Sequence, residues 1–367
     1  MSKSDKIKVC ICGGGSQGHI SAGVIGSNPK YSVSILTRRP ELWSENFETV
    51  DLAGKKYIAK LDIISSNPAI LKDNDIVLVC VPGYAIYDEL NFIKEYVKDK
   101  IIGSVFGGSG FFLEILRVLG ENTPCFALQR VPFTGRVKEY GHSARLKGYK
   151  PYLKVGFMNI DKPLEEKLIA IISDWYKTPV YGLSHFLEAT LSNSNPILHP
   201  CRLFVMFKDW TPERFYNRVP FLYDEWDDES SKLWVDCDEE LRKIINKLPI
   251  NQSEIPSILN YYQVNNIEEL TEKIHSIEPF KGVQPHMIEN EKGFKLDPHH
   301  RYFIEDIPHG LLVIKSFAEE LGVNTPNIDG VLNWAQQIMN KQYIIGNKLL
   351  FNPYNQVIKN VIRNIYR

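Results

Sequence analysis

With 367 residues the chain is longer than a single hydrophobic core usually grows, which points to two domains. Its composition, 44% hydrophobic and 24% charged, is that of a globular chain and excludes a disordered one; a net charge of −1 gives no general attraction to nucleic acid or an anionic membrane. The six cysteines sit in apolar segments with no Cys-x-x-Cys pair and read as buried reduced thiols. No leader-like segment precedes the first strand and no apolar run approaches about 20 residues, so the expected location is cytoplasmic, without membrane spans.

Residues 7–12 (IKVCIC) read as a buried strand, followed by a glycine cluster and a helix over 16–27. Residues 31–37, 75–81, 101–106 and 124–128 are further apolar runs of strand length. Strands alternating with helices at this spacing predict βαβ units and a parallel sheet, with ligands bound at its carboxyl edge. The stretch 134–157 is strand-rich, with turn signals at Gly141 and Gly148, and predicts an antiparallel extension of that sheet. A helix over 164–176 and a short strand over 178–181 close the first half. From about His185 helical periodicity dominates, as at 238–247, 267–277, 310–321 and 328–339. The expected fold class is therefore an α/β dinucleotide-binding (Rossmann) domain over 1–183 and a mostly α-helical domain over 184–367.

Gly13-Gly14-Gly15-Ser16-Gln17-Gly18 fits Gly-x-Gly-x-x-Gly in the required context, after a buried strand and opening a helix. Gly13 makes the tight turn, Gly15 admits the pyrophosphate, and Gly18 lets helix and strand approach. Ser16 and Gln17 lie in the first helical turn, where free N–H groups and partial positive charge favour phosphate. The second strand ends in Thr37-Arg38-Arg39 rather than in the acidic residue that reads an NAD ribose. Guanidinium forks suit a 2′-phosphate, so NADP(H) is favoured and NAD(H) is the alternative. Val81 and Pro82 follow the third strong strand and are placed beside the cofactor.

Two later segments carry chemistry. In Ser192-Asn193-Ser194-Asn195-Pro196-Ile197-Leu198-His199-Pro200, Asn195 and His199 are four apart and share a helix face; histidine is the usual acid or base near neutral pH. In Arg301-Tyr302-Phe303-Ile304-Glu305-Asp306-Ile307-Pro308-His309-Gly310-Leu311, an arginine suits a substrate carboxylate and a carboxylate suits an imidazole; a surface ion-pair cluster at a helix start is the plainer alternative. The run 221–229 is acidic and aromatic; it reads as an exposed acidic helix start or as the wall of an amino-acid pocket. His286, His299 and His300 show no tetrahedral spacing, and no metal is expected.

With the glycine loop, Asn-Pro-x-x-His-Pro at 195–200, Arg-Tyr-x-x-Glu-Asp-x-Pro-x-Gly-Leu at 301–311 and the stretch 127–136, the chain resembles the octopine/nopaline (opine) dehydrogenase family from residue 13 to 311. The resemblance implies reductive condensation of an amino acid with a 2-oxo acid such as pyruvate, using NAD(P)H. It implies His199 as acid/base, Asp306 as its partner, Arg301 on a substrate carboxylate, and Asn195 positioning substrate or His199. Arg136 is assigned to a substrate carboxylate, with a cofactor phosphate or a plain ion pair as the alternatives. The expected partners are small molecules, and the chain could pair as a homodimer. Two other readings stand beside this one. One is a 2-oxo or 2-hydroxy acid reductase similar to ketopantoate reductase or glycerol-3-phosphate dehydrogenase, families whose chemical group is a lysine. The other is a non-catalytic NADP(H)-sensing protein.

Overall fold

The computed structural model describes residues 6–366, which divide into two compact units with the boundary between Ser192 and Asn193. In the first, the strands are β1 (Ile7–Cys12), β2 (Tyr31–Leu36), β3 (Asn46–Val50), β4 (Lys56–Lys60), β5 (Ile64–Ser65), β6 (Ile76–Val79), β7 (Ile101–Ser104), β8 (Cys125–Leu128), β9 (Phe133–Glu139), β10 (Ser143–Tyr149), β11 (Leu153–Met158) and β12 (Val180–Gly182). The helices are α1 (Ser16–Gly26), α2 (Gly83–Ile93), α3 (Phe111–Val118), α4 (Lys162–Tyr176) and α5 (Phe186–Thr190).

Eight strands form the main sheet in the order β12-β11-β8-β7-β6-β1-β2-β5. Its six-strand core, β5-β2-β1-β6-β7-β8, is parallel throughout. β1 is buried from Val9 to Cys12, as a strand covered on both faces must be. The chain leaves β1 for β2 on one side and returns to β6 on the other, so the strand order reverses at β1. The crevice at its carboxyl end, where Gly13 stands, is where such sheets bind ligands.

Residues 134–157 depart from the expected single extension. Only β11 joins the main sheet, antiparallel to β8. β9 and β10 instead build a second sheet, β4-β3-β10-β9, in which β10 runs parallel to β3. The reason is burial on α1. Phe47 and Thr49 on β3, Tyr57 and Ala59 on β4, and Ala144 and Leu146 on β10 all face inward. The sheet packs against the side of α1 that the main sheet leaves open. Three glycines set how closely the elements approach there. A Cβ on Gly23 would lie 2.1 Å from Thr49 Oγ1, one on Gly26 2.8 Å from Ala59 Cβ, and one on Gly135 2.2 Å from Ile20 Cδ1.

The second unit is helical: α6 (Asn195–Met206), α7 (Asp228–Ile245), α8 (Ile258–Tyr262), α9 (Ile267–His275), α10 (Arg301–Ile304), α11 (Leu312–Glu320), α12 (Pro326–Ile338) and α13 (Asn355–Ile365). α7 begins ten residues before the periodicity suggests, because Asp227 caps it by accepting from Ser230 N–H, with Asp228 and Glu229 in its first turn. Between α10 and α11, residues Ile307–Leu311 form a π-turn closed by Leu311 N–H on Asp306 C=O at 2.8 Å. Such turns often mark functional sites. Glu240 on α7 caps α12, taking the N–H groups of Asn327 and Ile328 at 2.8 and 3.0 Å. Among the described residues no helix is long and apolar enough to cross a membrane.

Gly23→Ala is expected to lower stability by about 2 kcal/mol in urea denaturation, because the buried overlap with Thr49 outweighs the roughly 1 kcal/mol that alanine gains in helix propensity.

Candidate functional site

In the first unit the glycine loop has the shape its sequence requires. Gly13 sits at φ +120°, and a Cβ there would meet the Cys80 carbonyl oxygen at 2.8 Å and Val81 Cγ1 at 3.0 Å. A Cβ on Gly18 would lie 2.1 Å from the Gly13 carbonyl oxygen, so helix and strand close only without one. Above Gly15 there is open space, and no side chain caps the N-terminus of α1. These features fit a pyrophosphate at the helix end. Pro82 is the N-cap of α2, which starts where β6 ends. Ser16 and Gln17 open α1, but the Gln17 side-chain amide donates to Phe133 C=O at 3.2 Å, leaving its backbone to face a ligand.

Around the end of β2, Thr37 is buried while Arg38 and Arg39 are exposed. The Arg39 guanidinium lies 4.3 Å over the ring of Tyr140, a residue the sequence reading missed. Hydrogen bonds to Thr37, Arg39 and Trp43 pull the Tyr140 phenol below its ordinary range against an opposing desolvation. His19 fixes this corner. Its Nδ1–H donates to Gly15 C=O at 3.0 Å and its Nε2 accepts from Gly141 N–H at 2.8 Å. The imidazole therefore ties the glycine loop to the β9–β10 turn that carries Tyr140. Burial holds it neutral, down to about 4. Arg136 lies on β9, exposed, its guanidinium donating to Gly135 C=O, with Arg145 directly opposite on β10.

In the second unit the two chemical segments meet. His199 Nδ1 lies 2.7 Å from Asp306 Oδ2, across 107 residues of sequence, with both side chains buried. Asn195 is one turn ahead of His199 on α6 and half-buried. The contact needs α6 and the π-turn to approach closely, and Gly310 permits it: a Cβ there would lie 2.4 Å from Pro196 Cγ. The Tyr302 ring lies against the imidazole at 4.2 Å, tilted 36°. Arg301, the residue before it, is exposed and makes no ion pair among the described residues. Its charge acts on Tyr302, on Tyr223 and on His300, whose imidazole is lowered chiefly by burial.

The acidic-aromatic run divides. Asp224 accepts from Gly282 N–H, Glu225 pairs with Arg218, and Asp227 caps α7, all structural uses. Tyr223 instead points inward, its hydroxyl 3.1 Å from His199 Nε2. Neither Tyr223 nor Tyr302 was singled out in the sequence reading, although both stand inside runs that it marked.

Residues 182–339 match the family model of the NAD/NADP octopine/nopaline dehydrogenase alpha-helical domain. Over the whole chain, a tauropine dehydrogenase of Arabella iricolor is 28% identical, with 93% of this chain and 94% of that protein covered. The fold is similar to that of an octopine dehydrogenase solved with NADH and agmatine (TM-score 0.85, 21% identity, 98% of each chain). It is also similar to a yersinopine dehydrogenase solved with NADP+ (TM-score 0.74, 14% identity, 98% and 99% of the two chains).

Because folded His19 takes a proton near 4 and an unfolded histidine near 6.5, its contribution is complete above pH 6.5 and is lost as pH falls toward 4. The loss is of order 3 kcal/mol. His19→Gln is expected to flatten the dependence of the urea midpoint between pH 7 and 4.5, with His309, also held near 4 by burial, retaining part of the slope.

Proposed function

We propose that the chain is a member of the octopine/nopaline dehydrogenase family, whose alpha-helical domain model matches residues 182–339, and that it reductively condenses an amino acid with a 2-oxo acid through proton transfer by His199. It is an NAD(P)-dependent oxidoreductase acting on CH–NH bonds. The observation that carries the residue assignment is the buried 2.7 Å contact between His199 Nδ1 and Asp306 Oδ2. A carboxylate on Nδ1 fixes the tautomer, turns Nε2 toward the reaction, and stabilises the imidazolium when Nε2 takes a proton.

The amino group of one substrate adds to the carbonyl carbon of the other. The resulting carbinolamine loses its hydroxyl as water once that oxygen is protonated, and His199 is the source of that proton. When bound, the nicotinamide supplies the hydride that reduces the imine carbon. Arg301, exposed and without an ion-pair partner among the described residues, is free to hold a substrate carboxylate in a two-point contact. Asn195, on the same face of α6 as His199, offers an amide to a substrate polar atom or to the imidazole's surroundings. Arg136 remains a second candidate for a carboxylate. Holding two substrates in register is itself a large part of the catalysis.

Gly13, Gly15, Ser16, Gln17 and Gly18 would hold the pyrophosphate, with Val81 and Pro82 beside it. For the adenosine end we favour NADP(H). Thr37, Arg38 and Arg39 supply a hydroxyl and two cations at the strand end where an acidic residue would select a ribose hydroxyl. The lysine-dependent reductase alternative gains nothing from the helical unit's buried Lys315. That side chain is locked 2.6 Å from Asp329 and 3.0 Å from Thr325, in the core.

Oxidation of NADPH or NADH is expected to require an oxo acid and an amino acid together; oxidation with the oxo acid alone would make the protein a simple reductase. His199→Gln is expected to lower kcat by about 10²–10⁴-fold with the dissociation constant for NADPH unchanged. Near-normal turnover in that variant would remove His199 from the chemistry. Replacing Arg38 and Arg39 by alanine is expected to weaken NADPH at least about tenfold more than NADH, measured by nucleotide fluorescence, since each charge-assisted bond to a phosphate contributes about 1.5–3 kcal/mol. Equal weakening would show that neither arginine reads the 2′-phosphate.

A further inference from the structure

We propose that Tyr223 is the catalytic proton carrier between His199 and the reacting oxygen, completing a relay Asp306–His199–Tyr223; the proposal rests on the acid/base reading of His199. Both imidazole nitrogens are occupied by side chains. Nδ1 faces Asp306 at 2.7 Å and Nε2 faces the Tyr223 hydroxyl at 3.1 Å, while Tyr302 lies against the ring. Any proton that leaves or reaches Nε2 therefore passes through the Tyr223 hydroxyl or requires that hydroxyl to move away.

The surroundings of Tyr223 argue against movement. Its ring is 5% exposed and stacks on Phe280 at 4.1 Å and 16°. The backbone on either side is fixed. Leu222 N–H donates to Val283 C=O at 2.7 Å, and Leu222 C=O accepts from Arg202 Nε at 2.9 Å. Arg202, 2% exposed and one turn beyond His199 on α6, also donates to Ser230 Oγ at 2.8 Å, to Asp227 at 3.2 Å and to Glu225 C=O. One helix thus carries both the imidazole and the anchor of the segment that places a hydroxyl on it. A side chain that only filled space would need neither the buried guanidinium nor the fixed loop.

The proton balance is simple. Starting from imidazolium, Tyr223 gives its hydroxyl proton to the departing carbinolamine oxygen and takes the Nε2 proton of His199. The C–O bond breaks, water leaves, an iminium remains, and the phenol is restored as His199 becomes neutral. Burial raises the Tyr223 phenol well above its ordinary value, so it passes protons as a phenol and does not persist as phenolate.

The test is Tyr223→Phe, which keeps the ring and its stacking. The relay predicts a fall in kcat of at least about tenfold, with KM for both substrates, NADPH affinity and melting temperature little changed. In mixtures of H2O and D2O, the rate of the proton-dependent step should bend with deuterium fraction in the wild type, from two protons in flight, and become linear in the variant. An unchanged or raised kcat in Tyr223→Phe, beside an inactive His199→Gln, would overturn the relay alone and make the hydroxyl a placeholder that substrate displaces. An active His199→Gln would overturn the acid/base reading beneath it.

Discussion

The buried contact between His199 and Asp306 is the constraint around which the helical unit is arranged. It joins residues 107 positions apart, and it exists because α6 and the π-turn approach more closely than side chains normally permit. Gly310 against Pro196 supplies that approach. The π-turn does the rest. Its wider hydrogen-bond spacing, Asp306 C=O to Leu311 N–H, joins α10 to α11 directly after Asp306, which is buried.

Desolvation makes the rest of the unit expensive in polar groups, and the buried charges of Arg202, Lys315 and Glu240 are paired. Arg202 is held by four acceptors, Lys315 by Asp329 and Thr325, and Glu240 by the N-terminus of α12. Breaking such a pair strands a buried charge, commonly at a cost of about 3–5 kcal/mol. These pairs fix orientation more than they add net stability, which is what a site demanding sub-ångström placement needs. In the first unit, neutral His19 plays the corresponding part, holding the glycine loop and the Tyr140 turn with one donor and one acceptor.

Most of the parallel core was legible because β1, β6 and β8 are buried and read as apolar runs, and because the glycine spacing is a local backbone requirement; β5, two half-buried residues, was not. The second sheet was not, although β3 and β4 alternate inward and outward as half-buried strands do. Its defining pair, β3 with β10, joins segments almost a hundred residues apart, and local periodicity says nothing of the partner. In the site, His199 and Asp306 were legible as chemical types in ordered motifs. Tyr223 was not, because it lies on an irregular segment whose position is set by a buried arginine on another element. Nor was Tyr140, whose relation to Arg39 depends on that same second sheet.

The most direct test of the account is the identity of the product formed from a 2-oxo acid, an amino acid and NADPH or NADH, read by mass spectrometry. Reductive condensation through His199 predicts a single secondary amine whose formula is the sum of the two substrates less one oxygen, absent when His199 is replaced. The corresponding 2-hydroxy acid, formed whether or not the amino acid is present, would contradict it.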